Sequence, residues 1–135
     1  MTVAPQIINR GSWALYIWDL TSTDFVASST PPLAHRTSKT VDLFKKGAGG
    51  WNGSTIAVQG DLGDGEPIGA YAHVENFLTI NSVPDTTTLS FSADTTKAYV
   101  LLPDVCRVKP VVTAGAPDSD GVRIRLLVTS ARPRS

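Results

Sequence analysis

Short runs of alternating apolar and polar residues, each closed by glycine, proline or small polar residues, dominate this chain. An amphipathic helix needs apolar residues at every third or fourth position over ten or more residues, and almost no window provides them. A period of two is typical of β-strands. The chain is therefore predicted to be all-β, a single-domain antiparallel β-sandwich or barrel of about seven strands.

Seven segments carry the strand pattern. Trp13–Leu20 is apolar on both faces, which indicates a strand covered on both sides. In Lys39–Lys45 the alternation sets Val41 and Leu43 opposite the polar Thr40 and Asp42, and in Ser54–Gln59 it predicts that Ile56 and Val58 point inward. The other predicted strands are Tyr71–Ile80, Thr87–Ser92, Val105–Val112 and Val122–Thr129.

The joints between strands carry turn residues. Trp51–Ser54 and Pro117–Gly121 supply asparagine, aspartate and glycine, which tolerate a positive φ. The second of these turns predicts that the last two strands form a hairpin. Residues 1–11 show no convincing pattern and are expected to form an N-terminal arm, residues 12–130 the β domain, and residues 131–135 a basic C-terminal tail.

Composition narrows the function classes. Of 135 residues, 41% are apolar and 18% charged, which suits a packed core, and 12 basic residues balance 12 acidic ones. A neutral chain has no general field for attracting nucleic acid or an anionic membrane. Cys106 has no partner for an internal disulfide and is expected to be a small buried apolar residue. The N-terminus lacks a secretory pattern, and the apolar run Trp13–Trp18 is too short to span a membrane.

Residue patterns for catalysis or metal binding do not appear. His35 and His73 are far apart in sequence, and neither has another ligand at metal-binding spacing. Asp61, Asp64 and Glu66 lack the spacing of a calcium loop. No nucleophile elbow or phosphate loop occurs. We therefore predict no catalytic residue, no cofactor and no metal, and a protein that is not an enzyme.

Charged residues separate along the chain into acidic and basic segments. Such poles suit contacts between copies of a protein, although the two segments can equally lie side by side in the fold and neutralise each other. The acidic segment contains Asp61, Asp64, Glu66, Glu75 and Asp85, and the basic one Arg107, Lys109, Arg123, Arg125, Arg132 and Arg134.

Aromatic residues are more numerous than a small sheet needs for its core. The group comprises Trp13, Tyr16, Trp18 and Trp51, and core packing accounts for about two of them. The others are expected to anchor an interface or to form a platform on which a sugar stacks.

From Lys39 to Arg132 the order of motifs resembles a family of small virion proteins of tailed bacteriophages. The resemblance covers about two-thirds of the chain, departs from the usual pattern at Trp51-Asn52 and Ile68–Val74, and does not reach residues 1–38. The matching motifs are Lys39–Leu43, Ser54–Gly65, Leu89–Ala93 and Val105–Gly115 leading into Val122–Thr129.

This resemblance implies a non-enzymatic capsid decoration or cement protein, made in the host cytoplasm and located on the capsid surface of the virion. Its implied partners are the major capsid protein, whose adjacent subunits it clamps, and further copies of itself in a homotrimer. Two alternatives are a carbohydrate-binding β-sandwich module displayed on the virion and a tail or head-completion component. The expected interface residues are Pro5, Ile7, Arg10, Trp13, Trp18, Trp51, Arg132 and Arg134.

Overall fold

A computed structural model describes residues 2–34, 37–61, 68–69, 72–73, 90–96, 98–101 and 105–129. These residues contain twelve strands and no helix. The strands are β1 (Thr2–Val3), β2 (Gln6–Asn9), β3 (Trp13–Leu20), β4 (Val26–Ala27), β5 (Ser38–Lys45), β6 (Thr55–Asp61), β7 (Ile68–Gly69), β8 (Ala72–His73), β9 (Ser90–Phe91), β10 (Tyr99–Leu101), β11 (Arg107–Ala114) and β12 (Val122–Thr129).

The strands form two six-stranded sheets. The first sheet has the order β1-β4-β11-β6-β7, with β9 also paired to β6, and the second has the order β2-β3-β12-β5-β10-β8. All neighbours are antiparallel except β1 and β4, which run parallel. The predicted all-β sandwich is confirmed, and the strand number exceeds seven because several strands are only two residues long.

Both sheets contribute to one apolar core. The second sheet turns Trp18, Leu20, Val41, Leu43, Ile124 and Leu126 inward, and the first sheet turns Ile56, Val58 and Val108 toward them. Every one of these side chains is essentially inaccessible to solvent. The inward direction predicted for Ile56 and Val58 is confirmed, since alternation places one face of each strand against the opposite sheet.

The last two long strands do not form the expected hairpin. β11 belongs to the first sheet and β12 to the second, so residues 115–121 cross the sandwich. The crossing loop is hydrogen-bonded to two other loops: Asp118 N–H donates to Gly50 O at 3.1 Å, and Ser22 N–H donates to Asp118 O at 3.1 Å. Seven residues are enough to step across two sheets packed about 10 Å apart.

Residues 2–9 are part of the sandwich, in contrast to the arm expected for residues 1–11. β1 pairs with β4 in the first sheet, and β2 pairs with β3 in the second. Pro5 lies at the step between them, where a missing N–H removes no ladder hydrogen bond. The predicted tail, residues 131–135, lies outside the described residues.

Lys39 is a fully buried lysine at the start of β5. Its Nζ donates to Thr37 Oγ1 at 2.7 Å and to Ala34 O at 3.1 Å. An ammonium group out of water is tolerated when oxygen acceptors replace its hydration. Lys39 therefore ties the segment that precedes β5 to the end of the core.

Two glycines of positive φ differ in the space around them, so alanine substitutions there distinguish the stability cost of steric crowding from the cost of backbone strain. Gly53 has φ +72° and open space where a Cβ would be, whereas a Cβ on Gly121, at φ +82°, would lie 2.8 Å from Leu20 O. We expect Gly53→Ala to cost about 1 kcal/mol of unfolding free energy, for the left-handed backbone alone. Gly121→Ala should cost about 1–3 kcal/mol more, because the backbone must also move.

Urea unfolding of both variants, followed by circular dichroism, measures the difference. Equal losses for the two variants would contradict the close approach of Gly121 to β3.

Candidate functional site

The exposed large apolar residues of the described chain all lie between residues 7 and 26, on or beside β2, β3 and β4. They are Ile7 at 46% exposure, Trp13 at 38%, Phe25 at 37% and Val26 at 57%. We call the surface of residues 2–27, which contain β1 to β4, the N-terminal face. Exposed apolar residues that lie near one another are typical of protein interaction surfaces, and Ile7 and Trp13 belong to one hairpin.

A tight turn joins β2 to β3 and fixes which backbone groups of β2 point outward. Gly11 has φ +78°, and Arg10 N–H donates to Trp13 O at 2.9 Å, as in a two-residue hairpin loop. Since bonded and non-bonded pairs alternate along an antiparallel ladder, Ile8 also bonds to β3. The N–H and C=O groups of Ile7 and Asn9 therefore point away from β3.

No strand lies beyond β2 within the described part of the chain. Among the described strands, the outer side of β2 is thus an open sheet edge, with the exposed Ile7 on it. Open edges with unpaired N–H and C=O groups are templates for a further strand.

The sequence does hold a signal for this hairpin. Gly11-Ser12 between apolar strands is a two-residue turn of the glycine-first type. Sequence reasoning missed it because β2 has only four residues, and alternation is hard to recognise over so short a run.

The outer surface of the second sheet beside β2 is apolar. Ile8, Leu15 and Leu127 occupy successive strands in one row across β2, β3 and β12, and each is half-buried. The row continues into a shallow depression of about 320 Å³ that Thr40 and Arg125 also line. An apolar row that reaches the open edge can be extended by a strand added there.

A small groove lies next to Trp13. Its volume is about 210 Å³, and its walls include Asn9, Tyr16, Pro32 and Thr37. Small-molecule sites usually enclose roughly 300–1,000 Å³. The groove therefore suits a protruding side chain of a partner better than a whole substrate.

Four of the predicted interface residues come together at the N-terminal face: Pro5, Ile7, Arg10 and Trp13 flank or form the β2–β3 hairpin. Trp13 is its one exposed tryptophan, so the described residues contain no platform of several coplanar tryptophans. Arg132 and Arg134 lie outside the described residues.

Trp18 and Trp51 belong to the core, which corrects their expected place at an interface. Trp18 has no exposed surface, and its Nε1–H donates to Ser28 O at 2.9 Å. Trp51 is 7% exposed, and its Nε1–H donates to Asp94 Oδ1 at 2.6 Å. The N–H group of each indole has a hydrogen-bond partner inside the protein, so both tryptophans serve in core packing.

Several basic residues of the proposed basic pole are neutralised within the sandwich. Arg107 lies 3.4 Å from Asp61, directly opposite on β6, so these members of the two charged segments are neighbours. Arg123 binds Asp19 on β3 through both its Nε and its Nη2, at 2.8 and 3.0 Å. Internal pairing of this kind leaves less charge for a partner.

The Asp19 carboxylate has two cationic partners, Arg123 and Lys46. The hydrogen bonds from Arg123 lower its pKa below the usual value of 3.8, against the opposing effect of partial burial, and Lys46 at 3.4 Å adds to the lowering. The pairing ties β12 to β3 on the outer side of the second sheet.

The other candidate reactive groups lie apart from one another. Cys106 was expected to be a small buried apolar residue and is half-buried, next to the buried Val105. His73 is described only by its backbone, while His35, Asp64 and Glu66 lie outside the described residues. Among the described side chains, no three of histidine, cysteine, aspartate or glutamate gather as a metal site. Nor does this part of the chain form a helix of the length and apolarity needed to cross a bilayer.

Comparison with known proteins assigns no relative. No family model matches the chain, and no curated protein sequence does. Protein NMB1881 from Neisseria meningitidis, a solved structure, aligns with a TM-score of 0.36 at 13% identity, over 93% of this chain and 82% of that one. We draw neither fold nor function from a similarity of that size.

Proline substitutions at neighbouring positions test the assignment of the open edge. Ile8→Pro removes an N–H that bonds to β3, so a clear drop in melting temperature is expected, of the order that about 3 kcal/mol produces. Ile7→Pro removes an outward N–H and should leave the melting temperature nearly unchanged. Thermal unfolding by calorimetry compares them, and the opposite order would overturn the assignment.

The Asp19 pair predicts a pH dependence of stability. Because folding lowers the pKa of Asp19, its contribution is present above pH 3.8 and is lost as the pH falls through the lowered folded pKa. Asp19→Asn should therefore be less stable than wild type at pH 7, and the gap should close in acid. Urea unfolding from pH 7 to pH 2 measures the gap.

The matched control is Arg123→Gln made in the Asp19→Asn background. It should cost little more than Asp19→Asn alone, since the pair is already broken. A gap that stays constant with pH would show that the loss has another cause.

Proposed function

We propose that this protein is a non-enzymatic structural component of a bacteriophage virion, a decoration or cement protein that binds the outside of the head shell and clamps adjacent major capsid subunits. The observation that carries the proposal is the N-terminal face, which holds every exposed large apolar residue of the described chain and, at β2, a sheet edge with no further described strand beside it. The resemblance from Lys39 to Arg132 supplies the kind of partner.

A sandwich of this design suits attachment to a shell. Val26 lies on the first sheet beside Val111, while Trp13 lies at the hairpin of the second, so both sheets contribute apolar contacts. Such contacts exclude water without needing a charged partner, in keeping with the internal pairing of Arg107 and Arg123.

Weak single contacts are sufficient for a protein with this role. A shell presents many identical sites, and a protein that bridges two subunits makes its second contact at a high effective concentration. Bridging raises the cost of separating the subunits, and this linkage is how a cement protein stabilises a shell against heat.

The carbohydrate-binding alternative has less support on this surface. Trp18 and Trp51 are packing residues, which leaves Trp13 as the one described tryptophan available for stacking on a sugar. Exposed apolar side chains without a row of aromatic faces favour a protein partner.

The proposal is tested by mixing the full chain with empty shells assembled from the major capsid protein encoded in the same genome, followed by pelleting and calorimetry. We expect the protein to co-sediment with the shells and to raise their melting temperature. Shells that pellet without the protein would overturn the proposal.

Two lysine substitutions locate the contact. Val26→Lys places a charge in the N-terminal face and should weaken shell binding about tenfold or more, equivalent to roughly 1.4 kcal/mol. Ser92→Lys adds the same charge at an exposed position beside β9, away from that face, and should bind like wild type. Equal binding by both variants would place the contact elsewhere.

A further inference from the structure

We infer that β2 pairs antiparallel with β2 of a second copy, across a twofold axis that passes beside Ile8. The inference rests on the proposed function for its use of the N-terminal face, and it names the partner at the strand edge of that face. This strand pairing would join the second sheet of one copy to the second sheet of the other, giving one continuous sheet of twice the width.

Hydrogen bonding at this edge is self-complementary. The outward groups belong to Ile7 and Asn9, two positions apart on a four-residue strand. With Ile7 opposite Asn9 of the partner subunit, each residue both donates to and accepts from its opposite. The twofold axis repeats this exchange, so all the outward N–H and C=O groups of both strands are used.

In the neighbouring registers of the β2–β2 pair, fewer of the outward N–H and C=O groups find a hydrogen-bond partner. If Ile7 were opposite Ile7 of the partner subunit, Asn9 would face the partner's Pro5, which has no N–H to donate. If Asn9 were opposite the partner's Asn9, Ile7 would face Gly11, whose N–H already donates to an Asn9 Oδ1 at 3.0 Å. The register with Ile8 at the axis avoids both losses.

Side chains agree with the same register. Ile8 meets the partner's Ile8 in a close non-bonded pair, which doubles the apolar row formed with Leu15 and Leu127. Arg10 falls opposite the partner's Gln6, so no two like charges face each other. On the other face of the strand, the exposed Ile7 gains a diagonal apolar neighbour in the partner's Ile7.

One strand edge is a small interface. Stable complexes usually bury roughly 1,200–2,000 Å² in total, more than a four-residue strand can supply alone. The pair is therefore weak in dilute solution and is strengthened when both copies are held on one shell. A chemical trap is the suitable probe for such a contact.

Disulfide trapping tests the register. In a Cys106→Ser background, Ile8→Cys places two thiols on a non-bonded pair whose Cα atoms lie about 4.5 Å apart, within the range of a disulfide. The matched control, Gln6→Cys, lies on the same strand and the same face, but its two copies are four positions out of register, about 14 Å apart. Under mild oxidation we expect the Ile8→Cys chain to dimerise at least about tenfold faster.

Two further measurements keep the outcome decisive. Adding Ile7→Pro to the Ile8→Cys chain removes an outward N–H and should slow trapping strongly while leaving the fold intact. Sedimentation equilibrium of the wild-type chain should show a dimer as the end state of association at high concentration.

Equal trapping rates, faster trapping at Gln6→Cys, no effect of Ile7→Pro, or a trimer as the end state would each overturn the inference. Co-sedimentation with shells tests the proposed function separately. Disulfide trapping without shell binding overturns the proposed function alone. Shell binding without trapping overturns the strand pairing alone.

Discussion

β12 is the strand on which the second sheet depends. It pairs along all eight residues with β3 on one side and β5 on the other. Ile124 and Leu126 are buried on its inner face, while Arg123 and Arg125 reach Asp19 and Asp42 on the two flanking strands. A slip of one residue would turn the isoleucine outward and an arginine into the core, so the register is strongly specified. This register positions β3, and through it the hairpin that presents β2.

Long strands were predictable because they repeat their pattern often enough to be recognised. Trp13–Leu20 and Val122–Thr129 have the bounds predicted from the sequence. The assignment of strands to sheets was not predictable, since alternation shows that a face is buried but does not show which sheet covers it. The same ambiguity affected Trp18, which lies on a strand that is apolar on both faces, so its inward direction emerged only from the core it shares with Leu20.

The candidate site was partly visible in sequence. Ile7 and Trp13 were expected at an interface, and the structure brings them to one hairpin. What sequence reasoning missed is that residues 2–9 are built into both sheets, so the face presents an ordered edge instead of a free arm. A rigid edge loses little conformational entropy on binding, which makes even a few hydrogen bonds useful.

The buried ammonium group of Lys39 has a chemical consequence. Amine-reactive reagents need an accessible, unprotonated nitrogen, and the oxygens of Ala34 and Thr37 hold this one out of solvent. Lys45 and Lys46, at the other end of β5, are exposed. Acylation would therefore mark those two first and reach Lys39 only in molecules whose segment before β5 has opened. The labelling rate of Lys39 relative to those of Lys45 and Lys46, measured by peptide mass spectrometry, therefore reports how often this part of the fold opens.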